Sequence, residues 1–200
     1  MNYLFEKEVY DPQQYYWFKH ALTKEEVKKV EEGVFKLPSE EGTTIGEGDD
    51  ELRSSMIKWI PQNNEWSWLY QKMMDLAVEA NSIWDFDLKS AFEQIQYTEY
   101  YASEKGHYNW HQDIGSGVLA SRRKISITIQ MSESDEYEGG ELLISLGGGL
   151  KDGSFKNNLV CPRGGGVGVL FPSYMMHKVS PITKGTRKSL VLWVGGEHYK

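Results

Sequence analysis

The amino-acid sequence predicts a mostly β domain, a sandwich or jelly-roll barrel that carries its helices toward the N-terminus. Three observations lead there. Apolar residues recur at every second position in five segments between residues 92 and 195, helix-period spacing is confined to two segments before residue 81, and Gly-rich turns join the strand-like segments with no helix between them. A chain of 200 residues suits one domain, and 40% hydrophobic with 13% aromatic residues is enough for a sizeable core. No internal repeat or linker divides it. Residues 1–200 are therefore read as one domain, with 1–90 as a helical support layer and 91–200 as the β core.

The elements follow in order. Thr23 and Glu26 stand three apart as a capping box, so residues 23–32 (TKEEVKKVEE) are expected to form a short helix with a solvated Lys/Glu surface. The Gly- and acid-rich run from Pro38 to Asp50 has no periodicity and reads as a loop. RSSMIKWI (53–60) alternates as a strand that Pro61 ends, and Trp66, Leu69, Met73, Leu76 and Ala80 mark the apolar stripe of a helix over about 64–80. That stripe needs only a core to explain it. Period two then takes over in 92–101, 123–132, 141–146, 166–173 and 188–195. The clearest case is Ile125, Ile127, Ile129 and Met131 alternating with Ser126, Thr128 and Gln130, which sets the apolar residues on one face of a sheet.

Several function classes drop out. A net charge of -7 without Lys/Arg clusters disfavours nucleic acid and anionic lipid, and no run of eighteen apolar residues offers a membrane span. Cys161 is the single cysteine and has no internal partner; the first twenty residues lack a secretory pattern, so a cytoplasmic protein is expected. The glycines at 147–149 and 164–166 are not followed by Lys-Ser/Thr or by a helix start, which makes them turn residues rather than phosphate loops. A small molecule, a peptide or another protein is left as the partner.

The stretch GHYNWHQDIGSG (106–117) sets His111 and Asp113 two apart, and positions i and i+2 of an extended strand face the same side. The pair alone is a weak signal. His177, read as the end of the strand-like segment VGVLFPSYMMH, adds a second imidazole, and two His with one carboxylate form a facial triad that leaves three positions open on iron. Arg187 follows a Pro181–Gly185 turn, so a returning strand is expected to bring its guanidinium beside His177. There it can clamp a carboxylate through two parallel hydrogen bonds.

Tyr101, Tyr108, the HxD pair, SESDEYEGGELLI (132–144) and LFPSYMMHKVSPITKGTRKSLVLWV (170–194) together resemble the prolyl 4-hydroxylase branch of the iron(II)- and 2-oxoglutarate-dependent oxygenases. The likeness is strongest to the short bacterial and phage members called PKHD-type hydroxylases; it spans about 92–195, with RSSMIKWIP (53–61) as a weaker extension. It implies a double-stranded β-helix, the cupin-like jelly-roll variant. It implies His111, Asp113 and His177 as iron ligands, and Arg187 as the residue on the distal carboxylate of 2-oxoglutarate, helped by Ser189. Tyr101 is implied as a cosubstrate-pocket tyrosine, Tyr108 and Trp193 as pocket walls, and Arg123 as a substrate contact. Gln130 departs from the pattern, standing where some relatives have a tyrosine on 2-oxoglutarate; its amide can still donate to a carboxylate. Retention of Asp113, which related halogenases replace with a small residue, implies hydroxylation.

The implied cofactors are Fe(II), 2-oxoglutarate and O2, with ascorbate as reductant, and the implied products are succinate, CO2 and a hydroxylated C–H bond. The implied location is the cytoplasm of a bacterial or phage-infected cell. Three readings stay open: a peptidyl-proline hydroxylase, an oxygenase of a free amino acid or other small molecule, and a cupin-like metal-binding protein without catalysis, for which Arg187 has no use. The loop at 38–50 and the turn IGSGVLASR (114–122) are expected as a lid.

Overall fold

Alternation becomes paired strands throughout the C-terminal half of the computed structural model, which describes residues 14–42, 52–150 and 153–199. The elements are β1 (Tyr16–Phe18), α1 (Lys24–Val34), β2 (Glu40–Glu41), β3 (Arg53–Ser54), β4 (Met56–Ile60), α2 (Ser67–Ala80), β5 (Leu88–Ser90) and β6 (Ile95–Tyr101). They continue with β7 (His107–His111), β8 (Arg123–Gln130), β9 (Tyr137–Gly139), β10 (Leu142–Ser145), β11 (Asn158–Val160), β12 (Gly168–Pro172), β13 (His177–Val179) and β14 (Ile182–Gly196). Every strand pair among the described residues is antiparallel. The major sheet runs β1-β12-β8-β14-β6-β4-β2, with β5 and β9 also on β14, and the minor sheet runs β11-β10-β13-β7-β3. Two antiparallel sheets packed over one interior make the jelly roll that the strand pattern predicts.

Local chemistry accounts for the helix boundaries. The Thr23 hydroxyl accepts from the Glu26 N–H at 3.2 Å while Glu26 Oε2 accepts from the Thr23 N–H at 2.7 Å, so the capping box starts α1. The second helix begins at Ser67, later than its apolar stripe suggests, because Asn63 Oδ1 and the Asn63 carbonyl take the Trp66 N–H in a preceding turn.

Helices cover one face of the major sheet. Ile125, Ile127, Ile129 and Met131 of β8 and the residue after it, with Leu190, Leu192 and Val194 of β14, meet Val30 of α1 and Leu69, Met73 and Ala77 of α2. Each fully buried Ile or Leu there contributes ~1.5–3 kcal/mol. The opposite face looks toward the minor sheet across a second cluster that includes Tyr100, Tyr137, Leu142, Ile144, Phe171 and Ile182.

Three boundaries differ from expectation. The first ninety residues are more than a helical support layer, since β1 and β4 add to the major sheet, β3 to the minor one, and β2 extends β4. His177 opens β13 instead of closing the preceding strand, because β12 stops at Pro172 and a turn intervenes. The last strand starts at Ile182 rather than 188. Residues 182–185 pair with β9, and Gly185, at φ +71, lets the chain bend so that residues 186–195 join β6 and β8. Of the expected lid, Glu40–Glu41 pair with β4 and residues 43–50 lie outside the described residues. No helix among the described residues is long and apolar enough to cross a membrane.

Candidate metal and cosubstrate site

The end of β7 meets the start of β13 where His111 and His177 are direct cross-strand partners, with ring centroids 4.1 Å apart. Asp113 lies just past the end of β7 and is brought back by its N–H, which donates to the Ser173 carbonyl at 2.9 Å. The three side chains converge: Nε2 of His111 is 3.8 Å from Asp113 Oδ1, and Nε2 of His177 is 3.5 Å from Oδ2. One ligand atom from each lies within 4.8 Å of the others.

Each ring is oriented by a carbonyl two residues before it in the chain. Nδ1 of His111 lies 2.7 Å from the Asn109 carbonyl and Nδ1 of His177 lies 2.9 Å from the Met175 carbonyl. A carbonyl only accepts, so Nδ1 carries the proton in both and each Nε2 lone pair is directed at Asp113. Burial, followed by the neighbouring His177, pushes His111 down to about 3, which keeps it neutral as a ligand must be. Burial works against the Asp113 carboxylate, yet His177, His111, the Ser126 hydroxyl and Arg123 outweigh it and hold the group below the usual carboxylate range. Two imidazoles, which ligate a metal as neutral rings, and one carboxylate on one side of a cavity are a donor set that fits Fe(II) with open positions.

Across the interior, Arg187 of β14 is only 1% exposed. Its Nη2 donates to Gln130 Oε1 at 2.9 Å and its Nη1 to Ser189 Oγ at 3.3 Å, while Nε has no partner. Ser189 and Gln130 are cross-strand neighbours, so β8 and β14 present them together beneath the guanidinium. No carboxylate among the described residues pairs with Arg187; leaving a buried cation uncompensated costs several kcal/mol. Arg187 and His177 stand on strands of different sheets. β13 stays in the minor sheet and β14 enters the major one, so the two face a common interior: Phe171 packs on His177 at 4.7 Å and Tyr100 lies 5.4 Å from the Arg187 guanidinium, both in the second core cluster.

Residues 95–195 match the family model described as the 2OG-Fe(II) oxygenase superfamily. The chain belongs to this superfamily. Among curated relatives, a PKHD-type hydroxylase of Alteromonas mediterranea is 32% identical over 97 residues, 46% of this chain and 39% of that one. A PKHD-type hydroxylase of Rippkaea orientalis is 24% identical over 178 residues, 87% of this chain and 75% of that one. The chain thus spans well under two thirds of the Alteromonas protein. Among solved structures, a Pseudomonas putida prolyl-4-hydroxylase superposes with TM-score 0.67 at 20% identity over 92% of this chain and 93% of that one. A Trichoplax adhaerens prolyl hydroxylase, solved with a hypoxia inducible factor peptide fragment, gives TM-score 0.72 at 14% identity over 91% and 83%. These likenesses are of fold.

Around this oxygenase-family site, the other expected residues occupy varied places. Tyr108 stacks on His111 with centroids 3.4 Å apart at 13°, Arg53 packs 4.8 Å from its ring, and burial pushes its hydroxyl up to about 12. Trp193 is buried beside the Ser126 position of β8. Tyr101, the expected pocket tyrosine, lies on the Glu99 side of β6, and burial followed by Glu99 raises its hydroxyl to about 12. Tyr100 is the cross-strand partner of Arg187 and stands against it instead; strand alternation makes the two neighbours face opposite ways.

Arg123, expected at the substrate, has its donors taken by protein. Nε and Nη2 donate to the Glu93 carboxylate at 2.6 and 2.5 Å, Nη1 donates to the Asp113 carbonyl at 2.9 Å, and the guanidinium lies 3.9 Å from the Trp193 ring. Gln130 uses its carbonyl oxygen on Arg187 and so aims the guanidinium. Sequence reasoning passed over Tyr100, Ser126 and Ser173, of which the two serines are fully buried next to Asp113. No local signal set them apart, because a Ser/Thr/Gln alternation reads equally as the solvent side of a strand.

Proposed function

We propose that this chain is an iron(II)- and 2-oxoglutarate-dependent hydroxylase acting on peptidyl proline, releasing succinate and CO2. The observation that carries the reading is a buried guanidinium without an acid partner among the described residues, Arg187, sharing one interior with the His111–Asp113–His177 cluster. A metal-binding jelly roll without catalysis has no use for that cation, whereas a keto acid with a carboxylate at each end spans from metal to guanidinium.

In this reading His111, Asp113 and His177 hold iron, and Arg187 binds the distal carboxylate with Gln130 and Ser189 aiming it. Iron with 2-oxoglutarate and O2 supplies the oxidising power for C–H hydroxylation. The chain supplies position and exclusion of water: Phe171, Tyr100 and Tyr108 line the space, and Trp193, braced by Arg123, walls the substrate side. A peptide substrate is supported by the peptide fragment solved with the Trichoplax neighbour. The turn at 114–122, with Val118 and Leu119 exposed, serves as part of a lid over it. Ascorbate acts as the reductant that returns iron to the ferrous state. The bacterial sources of the relatives support a bacterial or phage-infected cell as the setting, and a cytoplasmic location there is part of the proposal.

Incubation with Fe(II), 2-oxoglutarate, ascorbate and proline-rich peptides under air tests the proposal. Succinate formation above a metal-free control, with gain of one oxygen on a prolyl residue by mass spectrometry, is the expected result. Absence of iron-dependent succinate overturns the oxygenase reading, and oxygen gained by a free amino acid in place of the peptides overturns the peptidyl substrate.

A further inference from the structure

The three metal ligands are oriented in two different ways. Each histidine is tied to a carbonyl two residues back in its own segment, but Asp113, lying past the end of its strand, is held from the major sheet. Ser126 Oγ is 2.6 Å from Asp113 Oδ2 and 2.9 Å from Ser173 Oγ, and both serines are 0% exposed. A hydroxyl has one proton and an ionised carboxylate only accepts, so Ser126 donates to Asp113 and Ser173 donates to Ser126. Ser173 cannot drift. Its N–H donates to the Lys124 carbonyl, two residues from Ser126 on the same strand, and its carbonyl accepts the Asp113 N–H, both at 2.9 Å.

We propose that Ser126 is a positioning residue that restricts Asp113 to ligation through a single oxygen, with Ser173 fixing the direction of the Ser126 proton. The inference rests on the oxygenase reading of the site. With Oδ2 engaged by a short charge-assisted bond, Oδ1 is the oxygen free for the metal. The consequence matters for the reaction class. A triad with a one-oxygen carboxylate leaves three positions open, whereas a carboxylate binding through both oxygens fills one of them, and a chelating keto acid together with O2 needs all three.

Anaerobic titration of the metal-free full chain with Co(II) and with Fe(II) plus 2-oxoglutarate tests this, comparing wild type, Ser126→Ala, Ser173→Ala and the double variant. Ser126→Ala is expected to weaken metal affinity by ~10-fold or more and to change the visible Co(II) bands and the Fe(II)–2-oxoglutarate charge-transfer absorption. Ser173→Ala has a smaller effect in the same direction. The double variant matches Ser126→Ala alone, because Ser173 acts through Ser126. An affinity within about twofold of wild type with an unchanged spectrum in Ser126→Ala overturns the proposal, as does a double variant whose losses simply add. Failure of the wild type to bind metal at all removes the oxygenase reading and this inference with it, a result distinct from a wild type that binds and a variant that binds equally well.

Discussion

Where β8 and β14 pair, the two faces of the major sheet are both buried and differ in chemistry. On the helix side, Ile125, Ile127, Ile129, Leu190, Leu192 and Val194 close a dry core with α1 and α2. On the other side the same two strands carry Ser126, Thr128 and Gln130, and Arg187 and Ser189, all buried as well. The first face stabilises the fold by removing apolar area from water. The second costs free energy wherever a donor is left unpaired, as Arg187 Nε is among the described residues, and that cost is what the proposed cosubstrate would offset. Along residues 126–130 of β8 and 187–189 of β14 both sides are buried and one is polar, which fits the interior wall of the proposed site.

Substitutions on the two faces should therefore fail in different ways. The largest effect is expected for Asp113→Ala, which removes a ligand and not merely its partner: iron-dependent succinate formation falls to the metal-free background, beyond the ~10–100-fold typical of losing a supporting hydrogen bond to a ligand. Calorimetric metal titration checks that the loss is in binding.

Arg187→Met sharpens the contrast most. The KM for 2-oxoglutarate should rise by ~100-fold or more, the worth of two charge-assisted hydrogen bonds, while the melting temperature of the cosubstrate-free protein stays the same or increases because a buried cation without an acid partner among the described residues is gone. A fall in melting temperature would make Arg187 a structural residue and blur the two faces into one. Ile127→Ala, directly behind that wall, should do the reverse. It costs ~2–5 kcal/mol of stability in denaturant unfolding and leaves both KM values unchanged at temperatures where the variant is folded.

The smallest effect sits at the far end of the polar face. Trp193→Ala should raise the KM for a proline peptide ~10-fold while moving that for 2-oxoglutarate far less, as expected when one aromatic contact is lost from one ligand only. Equal rises in steady-state assays would mean that the wall had collapsed as a whole.

Much of this was legible in the chain. Alternation through residues 123–131 specified a strand and its two faces, the capping box at Thr23 and Glu26 specified where a helix starts, and the spacing of His111, Asp113, His177 and Arg187 suggested a metal with an anion anchor. These are local or type-specific signals, carried by side-chain chemistry and by the period of the backbone. Placement beyond one strand was less readable: Tyr100 and Tyr101 are adjacent and identical in kind, and only the pairing of β6 with β14 decides that Tyr100 meets Arg187.

Arg123 shows the same limit. Its type suggested a substrate contact, but Glu93, thirty positions away, and the Asp113 carbonyl take up its donors. The sequence by itself determined the β class, the polar and apolar faces and the residue types able to bind iron and a carboxylate, because these depend on neighbours one to four positions apart. Only the packing of the two sheets shows that the polar face is buried, that Arg187 has no acid partner among the described residues, and that Ser126 and Ser173 hold Asp113. Those facts depend on which strands pair and how the two sheets close, and a hydrogen bond or an unpaired charge exists only once distant segments share one interior.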